Sequence, residues 1–226
     1  MHLSPDSVIY WQWGVLVLNK TIVFTWVVMA LLALLSRLAT RRLSSGRDIP
    51  AWQNVMESIV VGAARQIKDT TGSEPERLLP LLGTFFLFIA ASNVLSVVPG
   101  FDPPTGSLST TAALALCVFA AVPAYGVSQS GLVPYLGNYV QPTPLMLPFN
   151  IIGDFSRILA LAVRLFGNVM SGSMIGGILL IIAPLFVPVL MQLFGLLTGL
   201  VQAYIFAMLA AVYIGAGLEV QEQRKN

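Results

Sequence analysis

The sequence predicts an all-α integral membrane protein: five transmembrane helices plus one interfacial amphipathic helix, closing with a long, strongly tilted C-terminal helix hairpin. The whole of residues 1–226 is expected to form a single membrane domain. Composition carries the first part of that expectation. Hydrophobic residues make up 56% of the chain and charged residues only 10%, against roughly 25% charged in an average soluble domain. Patterning carries the second: apolar runs long enough to cross ~30 Å of hydrocarbon alternate with polar or Pro/Gly-rich breaks.

The first span is expected over about 17–38. Its apolar run, TIVFTWVVMALLALLS, is followed by Arg37, Arg41, Arg42 and Arg47. A cleaved signal peptide carries its positive charge before the apolar run, so this order reads as a retained span. The excess of arginine after it puts the N-terminus outside and the arginines in the cytoplasm. Residues 50–69 place Trp52, Val55, Met56, Ile59, Val60, Ala63 and Ile67 on one stripe, with Glu57, Arg65, Lys68 and Asp69 mostly off it. Such an amphipathic helix lies in the interface rather than crossing it.

Further spans are expected at 78–98 and 110–127, joined by the turn PGFDPPTGS. The segment from Ser128 to Leu147 holds no charge, so topology through it follows from counting spans. From 148 to 182 and again from 184 to 218 the chain is almost continuously apolar. Each such helix would be ~50 Å long at ~1.5 Å per residue, so both must tilt strongly or run partly in the interface. Arg224 and Lys225 then fit a cytoplasmic C-terminus.

Composition also excludes chemistry. His2 is the sole histidine and Cys117 the sole cysteine, so zinc sites, His-based triads and internal disulfides lack their parts. No metal and no cofactor are expected. A net charge of +2, with scattered basic residues, gives no nucleic-acid footprint.

The residue that demands explanation is Arg164, in LALAVRLFGNVMSGSM. A guanidinium does not shed its proton to ease burial, and an arginine at a helix centre costs ~2.5–3.5 kcal/mol on insertion scales. At about 100° per residue, Asn150, Arg157, Asn168 and Ser171 fall within about 40° of Arg164, forming a polar stripe. One reading makes Arg164 a structural charge paired within the chain. Against it, Asp154 is the only acid in either long helix away from the ends, lies ~15 Å off along the helix, and can pair with Arg157 at i+3. On the last helix Gly195, Thr198, Gly199, Gln202, Phe206 and Tyr213 share a face. Gln202 is either interhelical glue or a partner of Arg164, because a hairpin turning near Ala183 and Pro184 brings the two to nearly equal depth.

RLFGN at 164–168, the glutamine in LVQAYIF and the tyrosine in AVYIG resemble subunit a of rotary F-type ATP synthases. SNVLSVVPG at 92–100, which includes Asn93, and PPTGSLSTTAALAL at 103–116 extend the resemblance over nearly the whole chain. It implies an ion-conducting stator with two offset half-channels, whose arginine faces a rotating ring of subunit c. It implies as partners that ring, the subunit b peripheral stalk, the other synthase subunits and the lipid bilayer. Asn168 and Gln202 would then hydrogen-bond around Arg164. Candidate channel-lining positions are Asn93, Ser107, Ser109, Asn150, Asp154, Arg157, Ser171, Ser173, Thr198 and Tyr213.

The sequence departs from the family where a titratable group is common. Ser173 and Gly195 replace Glu or His, Asn150 replaces a Glu, and Ser107 and Ser109 stand for the Asp and Asn of a TADxNTT-like segment. Hydroxyls solvate Na⁺ or water but do not relay protons near neutral pH. These departures, with the short N-terminus, resemble the N-type subfamily, which is associated with Na⁺ coupling; both H⁺ and Na⁺ stay open. The lack of a transit peptide points to a bacterial cell (inner) membrane. A rival from another class is a secondary transporter or channel with Arg164 as an anion site, although no internal repeat is visible. A weaker rival is a structural assembly factor.

Overall fold

The computed structural model describes residues 9–13, 16–41, 51–72, 75–98, 100–131, 146–182 and 187–222. Among them are six α-helices: α1 (Lys20–Thr40), α2 (Ala51–Thr71), α3 (Pro75–Leu95), α4 (Leu108–Ser130), α5 (Met146–Ile182) and α6 (Val187–Glu222). Five of these, all but α2, are long and apolar enough to cross a membrane. The protein is a multi-pass, all-α integral membrane protein.

The expected spans 78–98, 110–127, 148–182 and 184–218 and the expected amphipathic helix 50–69 each coincide with a helix to within a few residues. The first differs in kind at its start. Residues 17–19, expected inside the span, belong to a short strand β2 (Leu16–Asn19), paired antiparallel with β1 (Ile9–Trp13). Both segments are dense in β-branched, aromatic or other apolar residues, which suit a pleated pair. Lys20 therefore opens the helix, and Arg37 in the last turn complements the carbonyl end of its dipole.

Helix α3 is central. Leu78, Leu82, Phe85 and Ile89 on it meet Ala115 and Val118 of α4, Leu161 and Leu165 of α5, and Ala203, Phe206 and Ile214 of α6 in one buried cluster. By contrast α1 buries only Thr21 and Val28, and Trp26, Leu34, Leu35 and Leu38 stay exposed. In lipid such a face needs no protein cover, because hydrocarbon is as apolar as the side chains. Helix α1 is held at one end, where Lys20 pairs with Asp102 and Phe24 packs on Phe101 at 4.7 Å between ring centroids.

Helices α3 and α6 run antiparallel along a seam with three ties. Gln192 Nε2 donates to the Val97 carbonyl at 3.2 Å, and Asn93 Nδ2 donates to the Gly199 carbonyl at 2.9 Å. Phe85 meets Phe206 edge to face at 5.8 Å. Helices α5 and α6 form the expected hairpin; its turn, including Ala183 and Pro184, lies outside the described residues. At 37 residues α5 is ~55 Å long, so it overshoots a ~30 Å hydrocarbon core unless tilted.

Helix α2 packs on α3 and α6. A Cβ added to Gly215 would stand 3.0 Å from the Thr71 Cα, so the missing side chain is what lets α2 end against α6. Ile67 is buried, but Trp52, Val55, Met56, Ile59 and Val60 are exposed. The apolar stripe thus faces outward, as an interfacial helix requires.

Candidate functional site

Arg164 sits in the middle of α5 with its neighbours Leu161, Ala162 and Leu165 buried in the bundle, while its own side chain is exposed. Among the described residues it has no hydrogen bond or ion pair. The two sides of the helix differ for a simple reason: Leu161 and Leu165 turn inward together at i and i+4, and Arg164 lies off that stripe. Around it the helix surface is small. Gly153, Ala160, Gly167 and Ser171 all lie within about 60° of Arg164, and a Cβ added to Gly153 or Gly167 would meet nothing within 4 Å. Of these, Gly153, Ala160 and Gly167 were not singled out from the sequence, although the same angular arithmetic that found Ser171 would have found them.

Seven residues before Arg164, the Arg157 guanidinium lies 3.5 Å from an Asp154 carboxylate oxygen, the i+3 pair the sequence offered. The same guanidinium sits 5.7 Å from the centre of the Tyr213 ring on α6. That contact gives the hairpin register. Counting back along antiparallel helices from Arg157 and Tyr213, Arg164 and Gln202 come level to within about one turn. Arg157 has its counter-charge within the chain; Arg164 does not find one among the described residues.

Gln202 is 7% exposed, and its Nε2 is buried without a hydrogen-bond partner. The hydrogen bonds expected among Arg164, Asn168 and Gln202 are absent: the half-buried Asn168 makes only a backbone contact, accepting from Ser171 Oγ at 3.2 Å. The reason is rotational. Gln202 points into the bundle while Arg164 points out of it, so equal depth does not give contact. An orphaned buried amide is costly, and the Gln202 Nε2 has no hydrogen-bond partner among the described residues.

The candidate lining positions divide. Asn93 and Ser107 are buried; Asn150, Asp154, Thr198 and Tyr213 are half-buried, and Ser109, Arg157, Ser171 and Ser173 are exposed. Ser173 Oγ donates to the Met170 carbonyl at 2.9 Å, and Thr198 Oγ1 donates to the Phe194 carbonyl at 3.0 Å, so both bond within their own helices. Two fully buried hydroxyls went unnoticed in the sequence, Thr105 and Thr111, both within PPTGSLSTT. Thr105 Oγ1 is also without a partner. The turn at Pro104–Gly106 seats against α5, where a Cβ on Gly106 would come 3.3 Å from Val169 Cγ1. Val169 is five residues beyond Arg164, so this turn meets α5 ~7.5 Å further along the axis than the arginine and about 140° round the helix from it.

Among the described residues, a polytopic helical bundle carries an exposed cation at mid-span without a counter-charge and a buried amide near its level, which defines a class of polytopic membrane proteins with a charged mid-span face. Comparison with known proteins narrows the class. A family model described as ATP synthase A chain matches residues 22–215. The chain is 60% identical to ATP synthase subunit a 2 of Acaryochloris marina, over 98% of this chain and 95% of that one. It is 60% identical to ATP synthase subunit a 1 of Chlorobaculum parvum, over 99% of each. It is 58% identical to ATP synthase subunit a of Albidiferax ferrireducens, over 96% of this chain and 94% of the relative. The chain belongs to the ATP synthase A chain family.

Proposed function

We propose that this chain is the ion-translocating stator subunit of an F-type ATP synthase, presenting Arg164 to a rotating ring of subunit c and coupling H⁺ or Na⁺ flow to rotation. The observation that carries the reading is Arg164 itself: a permanent cation at mid-span, exposed, without a partner among the described residues, on a helix face of small side chains. Small residues allow another helix to come close, and a carboxylate on that helix supplies the missing counter-charge.

The physics of such a pair is specific. A carboxylate arriving beside Arg164 is stabilised in its ionised form, which favours release of its bound ion. The fixed charge also opposes direct passage of a cation between an entry path and an exit path. Arginine suits this task better than lysine, which can lose its proton when buried. Two offset half-channels follow from that requirement. One would run past the buried hydroxyls of Thr105, Ser107 and Thr111, and the other past Asn150, Asp154 and Arg157. The chain makes and breaks no covalent bond.

The arginines after α1 support a cytoplasmic C-terminus and an outside N-terminus in a cell inner membrane. The partners are the c ring, the subunit b stalk and the remaining synthase subunits. Purification in mild detergent tests the assignment: the tagged chain is expected to bring down a multimeric ring and an ATP-hydrolysing sector. A chain that instead emerges alone and transports an anion in liposomes would establish the transporter reading.

A further inference from the structure

We propose that Asn93 is a positioning residue for Gln202: its amide clasps the Gly199 carbonyl and so fixes the rotation of α6 one turn before the glutamine. The inference deepens the stator function above and rests on it for its consequence in ion transport. Its geometry stands independently of that function.

Asn93 lies on the central helix α3, 5% exposed, and its Nδ2 donates to the Gly199 carbonyl at 2.9 Å. A carbonyl has two lone pairs, so Gly199 accepts from Asn93 without surrendering its own helical bond. The fit is close on both sides. A Cβ on Gly199 would stand 2.8 Å from Asn93 Cγ, closer than real Cβ atoms come, and 3.0 Å from its Cβ, a contact tighter than most. The near part of the asparagine, not a flexible tip, occupies the space. Only glycine at 199 admits this asparagine, and the asparagine in turn closes the space that glycine leaves.

Gln202 lies three residues on, so its direction is ~60° from that of Gly199 on the same helix. Its side chain is buried and its Nε2 makes no hydrogen bond. Among the described residues no directional contact at the Nε2 end fixes it in place. The other two ties of the seam lie further off, at Gln192 and Phe206. The Gly199 clasp is the directional contact next to the glutamine that also enters from another helix. Rotating α6 by a few tens of degrees would swing Gln202 away from the inward direction it holds near the arginine's level.

The test uses the assembled complex in membranes, with the free cysteine of α4 removed as Cys117→Ser so that the reagent has a single target on this chain. In a Gln202→Cys background, the rate of modification by a small hydrophilic methanethiosulfonate reports how position 202 is presented. Asn93→Ala removes the clasp without a clash and should change that rate at least about fivefold, within the range that contacting residues show for coupling. The amount of assembled complex and its ATP hydrolysis should stay unchanged, which separates local rotation from general loosening. With Gln202 intact, Gly199→Ala should lower coupled ion transport about tenfold or more, as overpacking of a tight contact does. Combining it with Asn93→Ala should recover most of the loss. An unaltered rate at position 202 in the Asn93→Ala variant would overturn the positioning role, and so would a double variant no better than Gly199→Ala. Normal coupled transport in Gln202→Ala would instead overturn the role given to Gln202 and leave the clasp itself to the labelling result.

Discussion

Replacing Asp154 by asparagine should unmask a second cation on α5, and the effect can be sized from the structure. The Asp154 carboxylate stands 3.5 Å from the Arg157 guanidinium, so the two present almost no net charge to a distant observer. Without the carboxylate, Arg157 acts on anything beside Arg164 from ~10.5 Å, seven residues along the helix. Coulomb's law at that distance gives ~0.4 kcal/mol in bulk water and ~1.6 kcal/mol at an effective dielectric of about 20. The side chains are 56% and 27% exposed, which favours the lower half of that interval. A cation crossing between the two arginines is disfavoured by that amount, a factor of roughly two to fifteen in rate.

The assay is ion-driven ATP synthesis in membrane vesicles, normalised to assembled complex. Asp154→Asn should fall within that interval and lose more at low ionic strength, where screening is weaker. Asp154→Asn combined with Arg157→Gln restores neutrality and should return the rate to within about twofold of the native value, as expected when the interaction is charge compensation. A single variant with unchanged rate would refute the electrostatic reasoning, as would a double variant as impaired as the single one.

Phe206 is fully buried and meets Phe85 edge to face. In lipid the transfer term is small, so Phe206→Ala should cost chiefly its cavity, on the order of 100 Å³ at about 24 cal/mol per Å³, or ~2.4 kcal/mol; an SDS-titration midpoint of the complex in mixed micelles reads it. Ser173 is exposed and bonds only to its own helix, so Ser173→Ala should leave ATP synthesis within about twofold of native at every Na⁺ concentration, as a surface substitution usually does. A deep loss confined to low Na⁺ would show that the hydroxyl ligates the ion.

Much of the fold was legible because lipid makes sequence patterns simple: a spanning helix must satisfy its backbone internally and be apolar along its length. The runs at 148–182 and 184–218 correspond to α5 and α6 to within two residues and four residues, respectively, at their ends. The strand pair before Lys20 was not legible, since a short apolar run of valine and leucine reads equally as helix or strand. In the site, the i+3 spacing of Asp154 and Arg157 foretold their ion pair. Equal depth of Arg164 and Gln202 was also readable, but not their opposite directions. Depth follows from counting residues to a turn, whereas direction depends on how α6 rolls against α3. That roll is set by Asn93 meeting Gly199 across 106 positions of sequence, a contact no local pattern announces. The buried hydroxyls of Thr105 and Thr111 were hidden in the same way, the first by a turn that folds back on α5 and the second by the packing of α4.

The central claim is that Arg164 serves a carboxylate brought to it by another subunit. Ion-driven ATP synthesis by the assembled complex carrying Arg164→Ala tests it most directly. The account predicts a complex that assembles in normal amount, keeps its ring and its ATP-hydrolysing sector, and shows no coupled synthesis. Coupled synthesis at the native rate in that complex would contradict it.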